Sequence, residues 1–206
     1  MKISLHRIII LSICFTISQF SYSFGNIECK QIKFYNDLTT EKDVFLEAFN
    51  TAYGKLTLEQ LFGTKYKWKD VNEFLDAVWN EVELKLRSSR PDFYLVSAKE
   101  NKNQVVGLIA FEKTKGNEVY VKHLAVHPQY QQKGIMTQLA YSMKDLTPNM
   151  KKVSFVTRKT NEPLIKIVKN LGFKETNFQG EDWNPEFFQK YELDEEGIKK
   201  LIQIAK

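Results

Sequence analysis

Cysteine is nearly missing from these 206 residues: only Cys14 and Cys29 occur. Cys14 lies inside an apolar N-terminal run, so a mature domain would keep Cys29 alone, and one thiol closes no internal disulfide. Such a domain must be held by its core and does not depend on an oxidising compartment. No apolar run reaches the roughly 20 residues that a membrane-spanning helix needs; the N-terminal run, Ile8–Phe20, has 13. A large excess of one charge is also lacking. The formal net charge is +5, and the lysines are mixed with acids, as Lys65, Lys67 and Lys69 are with Asp70, Glu73 and Asp76. That is a solvated surface, with no basic, aromatic-laced stripe to suggest nucleic acid as a partner. Repeats and low-complexity segments are absent too. The length leaves room for one ordinary domain with a real core.

The N-terminus departs from that picture. Lys2 and Arg7 precede the apolar run, and Ser21–Gly25 supplies small residues suited to cleavage after Ser23 or Gly25. The expectation is a signal peptide over residues 1–25 and a single domain over 26–206, exported to the periplasm or secreted, with no stable membrane association after cleavage. The alternatives are an uncleaved membrane anchor or a mistaken upstream start, though the next methionine is Met136. Cleavage would remove two cations and no acid, lowering the formal charge from +5 to +3. The abundance of Lys, Ile, Asn and Phe suits an AT-rich genome and is compatible with a host-associated bacterium.

The stretch Glu118–Met143 is the centre of the chain. Val119, Tyr120, Val121, Leu124 and Val126 predict a strand; Ile135, Leu139 and Met143, four apart, predict a helix. In the turn between them, Gln131-Gln132-Lys133-Gly134-Ile135-Met136, successive amides can converge at a helix N-terminus and attract an anion such as a pyrophosphate. Upstream, a strand is predicted over Lys30–Tyr35. A helix follows, capped by Thr39 or Thr40 and carrying Val44, Phe45, Ala48 and Phe49. A second helix runs from Trp68 to about Arg87, with Val71, Leu75, Val78 and Val82 on its stripe. Phe93–Ala98 and Val105–Phe111 read as a hairpin. Downstream come a strand at Lys152–Thr157, a helix from Asn161 to a stop at Gly172, strands at Phe173–Thr176 and Gln189–Leu193, and a basic tail helix from Glu195.

This order, with Leu124-Ala125-Val126-His127-Pro128, then Gln131-x-x-Gly134-x-Met136, then Asn161 and Leu171-Gly172-Phe173, resembles the GNAT superfamily of acetyl-CoA-dependent N-acetyltransferases over roughly residues 30–193. The resemblance implies an α/β (α+β) fold: a central mixed, mostly antiparallel sheet of six to seven strands, splayed between the fourth and fifth, flanked by about four helices. It implies transfer of an acetyl group from acetyl-CoA to a primary amine, small or on a protein, by direct attack on the thioester, with no metal. The cofactor's arm would pair with the backbone of Leu124, Ala125 and Val126. Its pyrophosphate would take the N–H groups of Gln132, Lys133, Gly134, Ile135, Met136 and Thr137, beside Gln131. Asn161 would be a helix cap, or a cofactor-proximal donor as well.

Three positions depart from the family pattern. Met136 stands where a final Gly or Ala is usual, Val168 where many members have an acid tyrosine, and Lys122 where a strand glutamate is common. The base is then either His123, which a bulge could bring round to the side of Tyr120 and which otherwise is a packing histidine, or Tyr120 through a water. The acid is Tyr141, Tyr191 or water. His127 is expected to be a turn residue. The acceptor would be met by Phe49–Trp79 and Trp183–Phe188. The rival is a non-catalytic GNAT-like module that binds an acyl-CoA or a partner.

Overall fold

The structure, a computed structural model, describes residues 27–33, 38–53, 56–62, 66–101, 104–177 and 185–204. The expected signal peptide, Phe34, Tyr35 and Trp183 lie outside the described residues. Seven strands form one sheet: β1 Ile27–Ile32, β2 Phe93–Glu100, β3 Gln104–Thr114, β4 Glu118–Val126, β5 Lys152–Arg158, β6 Lys174–Thr176 and β7 Phe188–Asp194. Their spatial order is β1-β2-β3-β4-β5-β7-β6. Every neighbouring pair is antiparallel except β4 with β5. The described helices are α1 Thr39–Tyr53, α2 Leu58–Phe62, α3 Val71–Arg87, α4 Ile135–Leu146, α5 Glu162–Asn170 and α6 Glu195–Ile204. The mixed, mostly antiparallel sheet is as the resemblance implied. The helices number six among the described residues, against about four expected.

Each face of the sheet has its own core. On one, Phe45 of α1, Leu58, Leu61 and Phe62 of α2, and Leu75 and Trp79 of α3 pack on Leu95, Leu108, Ala110 and Ala125. On the other, Ile135, Leu139 and Met143 of α4 pack on Val96, Val106, Ile109, Phe111, Val119 and Val153. Alternate residues of β2 and β3 thus feed opposite layers, as the period-2 geometry of a strand requires. Their near-unbroken apolar runs are explained by burial on both faces.

The elements differ from expectation in three places. The first strand begins at Ile27, because its whole length pairs with Leu95–Glu100. Cys29 is thereby half-buried against the α4-side core, and burial pushes its thiol up. In α1, Lys42 N–H donates to the Leu38 carbonyl at 2.8 Å, so the capping position is Leu38, ahead of both threonines. The short helix α2 was not expected, although its sequence carries a start signal. Thr57 N–H donates to Gln60 Oε1 at 2.9 Å and Gln60 N–H to Thr57 Oγ1 at 3.2 Å, the reciprocal pairing that Thr-x-x-Gln encodes.

Candidate active site

The site follows from how β4 meets its two neighbours. Against β3 it pairs from Glu118 to Val126. Against β5 it pairs only from Glu118 to Val121, opposite Lys152 to Phe155, while β5 stays paired with β7 through Arg158. Beyond Val121 and Phe155 the two strands part, and a wedge opens whose lips are the ends of β4 and β5. Backbone groups of Leu124, Ala125 and Val126 that would face β5 have no strand there, and buried peptide groups must find partners. An extended, amide-rich ligand can supply them.

The turn at the β4 lip gathers backbone N–H groups. Gln132 and Gly134 both take left-handed conformations, with φ of 62° and 75°. Alternating hand in successive residues turns neighbouring N–H groups into one concavity. The first bond of α4 runs from Gln138 N–H to Gly134 O at 3.1 Å, so the amides of Ile135, Met136 and Thr137 have no acceptor within the helix and carry its positive end. The Ile135 side chain is buried in the α4-side core, leaving its amide for a ligand. Met136 is half-buried. Gly107 lets α4 come this close: a Cβ there would lie 2.9 Å from Ile135 Cγ2 and 3.1 Å from the Ala125 carbonyl.

Side chains hold the turn to the rest of the fold. His127 Nε2 lies 3.0 Å from Glu47 Oε2 of α1, while its Nδ1 accepts the Gln129 N–H at 3.3 Å. His127 is therefore more than the turn residue expected. Tyr130 donates to Glu100 at 2.8 Å, and the Lys133 ammonium lies 4.6 Å from its ring centroid. Gln131 reaches back toward the Val126 carbonyl, 3.5 Å away. Leu124–Val126 and Gln131–Thr137 are thus brought together at one lip.

On the α1/α3 face the wedge is lined differently. Ala110 of β3 pairs with His123 and Phe111 with Val121, so Lys122 is an extra residue, a bulge. The bulge turns His123 onto the same face as Tyr120. There its ring meets Phe45 edge-on at 5.6 Å and Phe49 at 6.4 Å. Burial, reinforced by the neighbouring Lys122 cation, pushes the imidazole down to about 4. It is neutral at physiological pH and a weak base. Glu81 of α3 faces the same patch. Its Oε1 lies 2.6 Å from Lys85 Nζ and 3.9 Å from Lys122 Nζ, and its carboxyl sits below the usual range, burial being outweighed by the Lys85 hydrogen bond and the nearby cations. Glu81 was not singled out from the sequence, because helical periodicity marks only the buried stripe of α3.

The β5 lip is quieter. Asn161 occupies the cap position of α5 but makes no capping side-chain bond. Its carbonyl takes the Ile165 N–H at 3.0 Å, so it caps α5 through the backbone, while its Nδ2 donates to Thr157 Oγ1 at 3.2 Å and fixes the residue at the end of β5. Val168 is buried. Tyr191 is buried and stacked on Phe155, centroids 5.7 Å apart, with burial pushing its hydroxyl up. Tyr141 is exposed. Among the described residues no group of His, Cys, Asp and Glu could hold a metal ion, and no helix is long and apolar enough to cross a membrane.

Comparison with known proteins gives the same architecture. The profile described as Acetyltransferase (GNAT) family matches residues 55–173, more than half of the chain. No curated protein matches. Among solved structures, the PaiA N-acetyltransferase of Thermoplasma acidophilum, in complex with coenzyme A, is 16% identical with a TM-score of 0.59, covering 81% of this chain and 99% of that one. An acetyltransferase of Streptococcus agalactiae is 16% identical with a TM-score of 0.59, covering 83% and 99%. The ribosomal-protein-S18-alanine N-acetyltransferase of Escherichia coli is 13% identical with a TM-score of 0.53, covering 81% and 94%. At these identities the likeness is one of fold.

Proposed function

The chain belongs to the GNAT family of acetyltransferases, and from that premise we propose that it transfers an acetyl group from acetyl-CoA to a primary amine by direct attack on the thioester. The observation that carries this reading is the wedge between β4 and β5, which opens after Val121 and Phe155 and ends at the left-handed turn of Gln132 and Gly134. The residues fit the cofactor. Its pyrophosphate finds the amides of Gln132, Lys133, Gly134, Ile135, Met136 and Thr137, with Gln131 beside them. Its arm completes the ladder of Leu124, Ala125 and Val126, and Asn161 lies across the wedge. A coenzyme A complex of the Thermoplasma relative supports the assignment. A backbone N–H near Val126 would stabilise the oxyanion, a type of contact worth about 3–4 kcal/mol in other enzymes.

Proton removal is the demanding step. Moving a proton from an ammonium of pKa about 10.4 to His123, pushed down to about 4, costs roughly 9 kcal/mol. His123 therefore stays neutral and orients the amine by accepting a hydrogen bond, with Tyr120 beside it on the same face, and the ammonium loses its proton to solvent. The acceptor is a small-molecule or protein amine approaching from the α1/α3 face. The N-terminal run, with Lys2 and Arg7 before it, supports export after cleavage near Gly25; N-terminal sequencing of the mature protein tests that.

Thermal unfolding with and without acetyl-CoA tests the function. Cofactor at 100 times its dissociation constant adds about 2.7 kcal/mol to stability, and transfer to an amine follows as release of free thiol. No rise in Tm at millimolar cofactor would instead favour a non-catalytic module, with the half-buried Met136 at the cradle as its cause.

A further inference from the structure

One amine on the acceptor face belongs to the protein itself. Pairing of β4 with β5 ends at Val121, and the next residue, Lys122, is the extra residue of the bulge. Lys122 therefore stands at the vertex of the wedge. Its side chain, 28% exposed, is turned to the same face as His123 and Tyr120: its Nζ lies 3.9 Å from Glu81 Oε1 and 5.5 Å from the Tyr120 ring centroid. The ion pair is a loose one. Glu81 is held closely by Lys85, at 2.6 Å, and Lys85 also binds Glu112 at 2.5 Å. An arm that enters from the cradle at Gln132–Thr137 and pairs along Leu124–Val126 can travel no farther than this vertex, because the β4–β5 ladder closes from Val121 onward. Its acyl end would then come to the position of Lys122.

We propose that Lys122 is itself an acetyl acceptor, so that the protein modifies its own vertex lysine to Nε-acetyl-lysine; this rests on the acetyl-CoA reading above. The Lys122 ammonium, held at the vertex by its ion pair with Glu81, first loses a proton to solvent. The freed Nζ attacks the thioester carbonyl carbon, the C–N bond forms and the C–S bond breaks. CoA leaves as the thiolate and is protonated from water, while the amide nitrogen loses its second proton to solvent. The products are acetyl-Lys122, CoA thiol and one proton. The modification removes one positive charge from the acceptor face, releases Glu81 from its loose partner, and makes the face more favourable to a cationic amine.

The test uses the full chain and acetyl-CoA labelled in its acetyl group, with peptide mapping by mass spectrometry and Tm read in parallel. The expected result is one acetyl group, at Lys122, formed at a rate per molecule that does not change with protein concentration. It should be absent from Lys122→Arg, which keeps the cation and the cofactor-dependent rise in Tm. A rise in Tm with Lys122 unmodified overturns the inference and leaves the proposed function standing. So does label scattered over exposed lysines such as Lys30 and Lys174 at rates that Gly134→Val does not change. No rise in Tm overturns both.

Discussion

The two edges of β4 make the most informative comparison in the molecule. On the β3 edge the strand is paired over its full length, with one extra residue at Lys122; on the β5 edge it is paired only as far as Val121. The closed edge carries the core on both faces, through Val119 on one and Ala125 on the other. On the open edge the backbone beyond Val121 pairs with no strand and can meet a ligand. One strand thus serves as frame and as binding edge, and the bulge sits where the second role begins.

The largest effect that would break this contrast comes from Gly134, whose φ of 75° a β-branched side chain tolerates poorly. Gly134→Val is expected to weaken coenzyme A binding about a thousandfold, or about 4 kcal/mol, while amide exchange along the β3 edge stays native. Calorimetric titration measures the affinity, and near-native binding would mean the cradle is elsewhere.

A second expectation concerns His123, next to the bulge. Its pKa falls from 6.5 unfolded to about 4 folded. Above pH 6.5 the imidazole is neutral in both states and adds no pH dependence. As pH falls from 6.5 to 4 only the unfolded chain takes up the proton, so stability is lost, by up to about 3 kcal/mol. Urea unfolding at a series of pH values should show this loss in the native protein and a shallower one in His123→Phe.

The smallest effect sharpens the comparison from the closed side. Gly107→Ala puts a methyl group 2.9 Å from Ile135 Cγ2, and the overpacking should cost about 1–3 kcal/mol while moving the start of α4. A lowered Tm together with weakened coenzyme A binding is expected. A lowered Tm alone would mean that α4 does not carry the cradle.

Much of this was legible in the sequence. The β4 strand, the α4 stripe of Ile135, Leu139 and Met143 and the stop at Gly172, with φ of 88°, are local signals of periodicity and backbone hand. The hairpin of β2 and β3 was legible for the same reason. What could not be read depends on neighbours distant in the chain. The start of β1 is set by Glu100, and the tie of His127 to Glu47 joins residues of separate elements. The presence of Glu81 at the bulge depends on which way the exposed side of α3 faces. The depressed pKa of His123 likewise comes from burial beside Phe45 and Phe49, which no spacing along β4 encodes. The short helix α2 is the exception, since Thr57-x-x-Gln60 was there to be read.

Amide hydrogen exchange, with and without coenzyme A, tests the central claim most directly. The open edge of β4 and the turn after it should gain protection together, at Leu124–Val126 and Gln132–Thr137, while β2 and β3 exchange as before. Unchanged exchange at Leu124–Val126 in the presence of bound cofactor would contradict the account.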